Sequence, residues 1–186
     1  MEEVLWNYQK NKCYTNRWNS GRSGGIVKTD LTRQAEKCLW HETNRMGVFG
    51  CFEVTIGWLG NERIDYITYS VDNTIRCYEI KVTLADLKSK AKQTFIGDYN
   101  YLVVTSDLWD KMQQDEKLMR KYYYQGVYVF NEKYPSMTSV KKAKKQKVSL
   151  GTRSTVLESM VRSMNREVKK LYKVKPFWEI AEVEKG

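Results

Sequence analysis

The chain has 186 residues, with 32 Lys+Arg against 22 Asp+Glu and a hydrophobic fraction of 41 %. Such a length is one domain with enough apolar side chains to bury a core without disulfides, which excludes the disordered and fibrous classes. The net charge of +10 favours a polyanionic partner.

Residues 1–28 mix Trp6, Tyr8, Tyr14 and Trp18 with Lys10, Lys12, Arg17 and Arg22, then run into SGRSGG. They read as an aromatic and basic arm, with residues 29–186 as the folded domain. Arg17 and Arg22 are its candidates for contact with a nucleic-acid backbone. The opening MEEVLWNYQKNK lacks the apolar centre of a signal peptide, and no stretch reaches the ~18 consecutive apolar residues of a membrane helix. A cytoplasmic protein with no membrane partner is expected.

From Thr29 the spacing of Leu31, Ala35, Cys38, Leu39 and Met46 predicts one amphipathic helix, with Thr29 or Asp30 as N-cap and Gly47 as the stop. Glu36 lies on it, off the apolar stripe. Three strands follow in FEVTIGW, IDYITYS and TIRCYEIKVT, joined by short polar turns. Alternation along the third puts Ile75, Cys77, Glu79 and Lys81 on one face and Arg76, Tyr78 and Ile80 on the other. LADLKSKAKQTFI (84–96) returns to helical spacing, with Lys88, Lys90 and Lys92 pointing away from the apolar positions. YLVVTS (101–106) is a continuous apolar run expected of a strand covered on both faces.

Residues 107–121 read as one further helix and GVYVF (126–130) as the last strand. KKAKKQK (141–147) reads as a solvated mobile loop, with Lys141, Lys142, Lys144 and Lys145 as candidate phosphate contacts. Thr155 and Glu158 suggest a capping box for a final helix, whose Leu157, Met160, Val161, Met164, Val168 and Leu171 should dock on the core. The order predicts a single α/β domain, a mixed sheet flanked by helices on both faces. Cys13, Cys38, Cys51 and Cys77 form no C-x-x-C pair, and with His41 as the one histidine they make a poor zinc set. Reduced, mostly buried thiols are expected, and any metal should be an oxygen-liking ion, Mg²⁺ or Mn²⁺.

An acidic residue two places before a lysine is a weak signal, since this composition yields about two or three such triplets by chance. The chain has four: Glu79-Ile-Lys81, Asp86-Leu-Lys88, Asp115-Glu-Lys117 and Glu167-Val-Lys169. Only the first lies in a strongly patterned strand, where both charges share a face and are expensive to bury unless paired or ion-bound. Asp65, one strand earlier, comes beside Glu79 and Lys81 if the pair sum of the hairpin is even, 144 or 146, which demands an odd-length loop centred on Asp72 or Asn73, or else a bulge. Two carboxylates and a lysine suit metal-assisted phosphodiester hydrolysis. A salt-bridged strand pair is the structural alternative.

The run from Glu36 through FEVTI, RIDYIT and CYEIKVT to YLVVTS, with its D-x(13)-E-x-K spacing, resembles the PD-(D/E)XK nuclease superfamily, in particular small resolvase-like nucleases and the MmcB-like DNA-repair family. The similarity covers about residues 31–130. It implies a restriction-endonuclease-like fold, Asp65 and Glu79 as metal ligands, the Ile80 carbonyl completing the shell, and Lys81 as the catalytic lysine. A glutamate on the first helix often joins such sites, and Glu36 matches it; Glu53 on the first strand is the second candidate, and spacing does not choose between them. The proline that names the superfamily is replaced by Ile64. The expected function is a metal-dependent DNA endonuclease, encoded by a phage or mobile element in one version. The alternative is a nuclease-fold protein that occupies DNA or a host nucleoprotein complex, for example an anti-CRISPR protein. A homodimer is a further partner expectation, and RNA cleavage or binding is the least favoured activity because no sheet-face aromatic module of the RNA-recognition type is evident.

Overall fold

The computed structural model describes residues 28–58, 60, 62–89 and 93–177. Helix α1 (Asp30–Thr43) starts at Thr29, whose hydroxyl accepts the Thr32 N–H. It stops at Thr43, short of Gly47, so Met46 stands fully exposed instead of joining the apolar stripe. Gly47 takes a left-handed backbone (φ 76) in the turn before the sheet.

Strands β1 (Val48–Thr55), β2 (Arg63–Ser70) and β3 (Ile75–Lys81) form an antiparallel meander. β4 (Tyr99–Thr105) and β5 (Gly126–Asn131) add in parallel, and β6 (Ser136–Lys141) closes the far edge antiparallel to β5. The six strands lie in sequence order. The expected α/β mixed sheet is therefore present, with one strand more than the sequence pattern suggests.

The two parallel joins need crossovers. The first passes through α2 (Leu84–Lys88), which ends at Ser89 well before the expected 96 because Ser89 turns extended (ψ 156) and Thr94 and Phe95 beyond it are not helical. The second uses two short helices, α3 (Ser106–Gln113) and α4 (Glu116–Lys121), where one was expected. Asp115 separates them by capping α4, its carboxylate accepting the N–H groups of Lys117 and Leu118.

Alternation sorts the core into two layers. Tyr66, Tyr78, Ile80, Val103 and Phe130 face α1 with Ala35, Cys38 and Leu39. Ile67, Ile75, Cys77 and Cys51 face α5 (Leu150–Val174), and Leu102, Val104 and Val127 face α2 to α4. Helices cover both faces, as the apolar run in β4 requires.

α5 begins at Ser149, not at Thr155. Ser149 accepts the Thr152 N–H, while the Thr155 hydroxyl donates back to the Gly151 carbonyl inside the helix. Its buried positions are Val156, Ser159, Met160 and Ser163, so only the first half docks; Val161, Val168 and Leu171 are exposed, against expectation. Small serines allow the close approach: Ser159 accepts the Gly57 N–H at 3.1 Å and donates to Thr155 O at 2.7 Å.

Residues 141–149 are not a free loop. Lys141 ends β6 and donates to Tyr122 O at 2.6 Å, Lys144 N–H bonds Tyr124 O and Gln146 N–H bonds Asp98 O. The strap crosses Gly126 so closely that a Cβ there would sit 2.7 Å from Ala143 N. Cys38, Cys51 and Cys77 are buried thiols; Cys13 lies outside the described residues.

Candidate active site

Past the Ser70–Thr74 pair, where Ser70 N–H bonds Thr74 O, the hairpin loop is the three residues Val71, Asp72 and Asn73, with Asn73 left-handed at φ 66. A three-residue hairpin loop with its last position left-handed is a favoured form, and Asn tolerates that conformation. The resulting register pairs Tyr66 with Tyr78 and Thr68 with Arg76, a constant sum of 144. One step further in the same register Asp65 comes opposite Glu79, the arrangement the site demands.

At that point the ladder stops. The Asp65 carboxylate accepts the Ile80 N–H at 2.8 Å, replacing a partner that β2 would otherwise offer from its backbone. Lys81 Nζ lies 3.9 Å from Asp65 Oδ2, 3.7 Å from Glu79 Oε2 and 3.9 Å from Asp86 Oδ1. Three carboxylates thus surround one ammonium at ion-pair range, beyond ordinary hydrogen-bond length.

Glu79 is 2 % exposed. Its Oε1 accepts the Thr94 N–H at 3.4 Å, and the Thr94 hydroxyl donates to Glu62 Oε2 at 3.0 Å. Burial, then the Asp65 charge, push the Glu79 carboxyl up to about 8, against the opposing pull of Lys81 and the Thr94 N–H. A buried carboxyl titrating near neutrality is a frequent property of functional sites.

Beside Asp65 the β1–β2 pairing is interrupted. Phe52 pairs with Tyr66 and Val54 with Ile64, while Glu53, in register with Asp65, has a left-handed backbone at φ 51. Phe52 packs in the α1 layer and Val54 in the α5 layer, so the strand loses its alternation there. Such a conformation is uncommon for a residue other than glycine, and strain of this kind clusters at functional sites.

Neither candidate for the third acidic ligand turns to the Lys81 cluster. Lys28 pairs with Glu36 and, at 2.6 Å, with Glu53, and Arg63 stands 3.8 Å from Glu53. The hydrogen bond from Lys28 does most to hold the Glu53 carboxyl below its ordinary range, and burial opposes it. Burial lowers the Lys28 pKa too, but its two glutamates outweigh that and raise it. Among the described residues no group of three or more His, Cys, Asp and Glu is placed to share a metal ion. Asp65 and Glu79 remain, with the Ile80 peptide pinned beside them. That oxygen set fits a hard ion such as Mg²⁺, which keeps several waters and takes other ligands from a substrate phosphate.

Asp86 is hidden in the sequence because its triplet falls on a helix. It does begin one: Thr83 caps α2 by accepting the Asp86 N–H, and that tight turn after β3 folds Asp86 back to Lys81. The signal was the capping spacing Thr83-Leu-Ala-Asp86 directly after the strand. Lys28, Glu62 and Thr94 carried no such signal.

The basic candidates scatter. Arg17, Arg22, Lys90 and Lys92 lie outside the described residues. Lys88 pairs with Asp115 at 3.2 Å, and Lys144 sits 3.6 Å over the Tyr123 ring. Lys142 and Lys145 are exposed on the strap.

No protein-family model matches this sequence, and no curated protein matches it. Among solved structures the chain is similar to the SPO1766 protein of unknown function from Silicibacter pomeroyi, at 14 % identity and a TM-score of 0.62 over 78 % of this chain and 93 % of that one. The likeness is one of fold.

Proposed function

We propose that this protein is a metal-dependent endonuclease acting on DNA. The observation that carries the reading is the convergence of Asp65 and Glu79 on Lys81, buried at the point where the β2–β3 ladder opens. Burying Glu79 and Lys81, with Asp65 half-buried beside them, costs several kcal/mol per buried ion before pairing repays it. A protein that only occupies DNA or a nucleoprotein complex gains nothing from that cost.

Asp65 and Glu79 would hold the ion, with the Ile80 carbonyl as a third donor. A bound Mg²⁺ or Mn²⁺ supplies charge stabilisation at the phosphate and a more acidic water. Lys81 would orient the attacking water and offset the negative charge that grows on the phosphate oxygens as the water oxygen joins phosphorus and the P–O ester bond breaks, the water giving up a proton to solvent and the leaving oxygen taking one from it. The Ile80 N–H fixes the Asp65 carboxylate, and Thr94 fixes that of Glu79, so neither must reorganise during the reaction.

The test is incubation of the protein with plasmid, linear and branched DNA in Mg²⁺, Mn²⁺ or EDTA, alongside Lys81→Ala. Cleavage with metal, none in EDTA and none by the variant is the expected pattern. A wild-type protein that leaves all three substrates intact in both metals sinks the reading.

A further inference from the structure

α5 and β3 run from the same end of the molecule. Arg153 on α5 meets Asp98, whose carboxylate accepts the N–H of Ile75, the first residue of β3. Arg166, 13 residues later, donates to the carbonyl of Glu53, which lies across from Asp65 in the gap between the Phe52–Tyr66 and Val54–Ile64 pairs. Ser159 and Arg162 bond Gly57 just past the end of β1, so this stretch of α5 lies along edge strand β1, one strand from Asp65. Past that contact, α5 from Glu167 to Val174 is exposed at every residue, an overhang beyond its docked half.

The overhang is basic. Arg162, Arg166, Lys169 and Lys173 follow at steps of four, three and four residues and make one stripe along the helix. With Asn165 and Lys170 they line a concavity of about 470 Å³. Glu158 and Glu167 are the acidic residues on α5. Glu167 is bound by Arg166 and Lys170, and Glu158 by Trp58 and Arg162. Lys169 and Lys173 contact no carboxylate among the described residues. The strap lysines 142, 145 and 147 sit at the opposite end of β3, where Gln146 bonds Asp98.

We propose that this stripe on α5 holds the phosphate backbone of duplex DNA and leads it to the Asp65, Glu79 and Lys81 cluster, an inference that rests on the endonuclease reading. From residue 162 to 173 the helix rises ~16 Å. A DNA strand places a phosphate every ~3.4 Å of axis, so the stripe spans about five of them. Exposed Trp58 extends the surface at its near end, fixed by its hydrogen bond to Glu158 and stacked by Arg162. The apolar side chains exposed on the same helix, Val161, Val168 and Leu171, would also suit a membrane surface, but the stripe's position beside the carboxylate cluster favours DNA.

The experiment uses the full chain and a labelled duplex of about 20 base pairs in EDTA, with anisotropy followed from about 50 to about 200 mM salt. Lys169→Gln/Lys173→Gln removes two exposed contacts without touching the core. It should flatten the slope of log affinity against log salt by about 1.8 and weaken binding at low salt more than about tenfold. Lys142→Gln/Lys145→Gln should stay near the wild-type slope. An unchanged slope in the α5 variant, or the loss appearing in the strap variant instead, overturns the proposal. So does a variant that keeps DNA binding and loses adsorption to phosphatidylserine vesicles. Because binding is read without metal, a stripe-dependent slope in a protein that never cleaves would sink the endonuclease and spare the stripe, whereas full cleavage of the same duplex by the double variant would do the reverse.

Discussion

At the start of β3, Asp98 accepts hydrogen bonds from Ile75 N–H at 2.8 Å and from Arg153 at 2.9 and 3.1 Å; at its end, Asp65, Glu79 and Asp86 stand 3.7 to 3.9 Å around Lys81. Both are ion-pair clusters beside the same strand, one centred on buried Asp98 and the other on buried Glu79 and Lys81. The first is fully hydrogen-bonded: burial works against the Asp98 charge, and Arg153 with the Ile75 N–H outweighs it, so its pKa falls. In the second the cation is short of close partners and Glu79 is driven to about 8. A pair built for stability satisfies its charges at once. A cluster that leaves them unsatisfied is what the proposed metal site would require.

The sharpest break between the two is activity. Lys81→Ala or Asp65→Ala should lower metal-dependent cleavage by at least about 10³-fold. Arg153→Ala should leave the rate per folded molecule within about threefold, because the latch lies ~20 Å from the cluster. Single-turnover rates on one duplex decide it, and equal losses in both sets would erase the distinction.

Stability should divide the other way. Arg153→Ala strands a buried carboxylate and should cost about 3 kcal/mol in urea unfolding. Lys81→Ala should cost less than about 2 kcal/mol, since Glu79 can discharge itself by binding a proton. A Lys81 variant as unstable as the Arg153 one would recast the cluster as structural.

The pH profiles should have opposite signs. The folded pKa of Glu79, about 8, stands above its unfolded value, so the folded state binds the extra proton and stability falls as pH rises through that interval. Glu79→Gln, measured without metal, should therefore gain several kcal/mol of stability relative to wild type between pH 4 and pH 9, with the constant cost of unpartnered amide donors shifting both ends alike. The depressed Asp98 contributes stability above its unfolded pKa of about 3.9 and loses it as pH falls through its lower folded value. Parallel profiles for Glu79→Gln and Asp98→Asn would contradict the comparison.

The smallest effect should come from Asp86→Asn. Asp86 is 44 % exposed and solvent screens it, so cleavage should stay within about threefold of wild type. A large loss would make it a third member of the site.

Local rules sufficed for much of this. The alternation in TIRCYEIKVT put Glu79 and Lys81 on one face, and the Val71-Asp72-Asn73 turn made the pair sum even, so the Asp65, Glu79 and Lys81 grouping was legible before any coordinate. The period of a strand and the length of a hairpin are short-range properties, written within some 17 residues. The count of crossover helices was not legible, because apolar spacing in 107–121 continues through the cap at Asp115. Nor was β6, whose SMTSVK offers little apolar patterning on an exposed edge.

Tertiary packing decided the rest. Lys28 claimed both Glu36 and Glu53, Asp86 came back to Lys81, and α5 docked by Val156, Ser159, Met160 and Ser163 while its basic end ran on beyond the docked half. Each depends on the distance between segments far apart in the chain. Sequence periodicity fixes the face on which a side chain lies, but which charge meets which is set by where helices come to rest on the sheet, a balance of packing and desolvation that no local pattern contains.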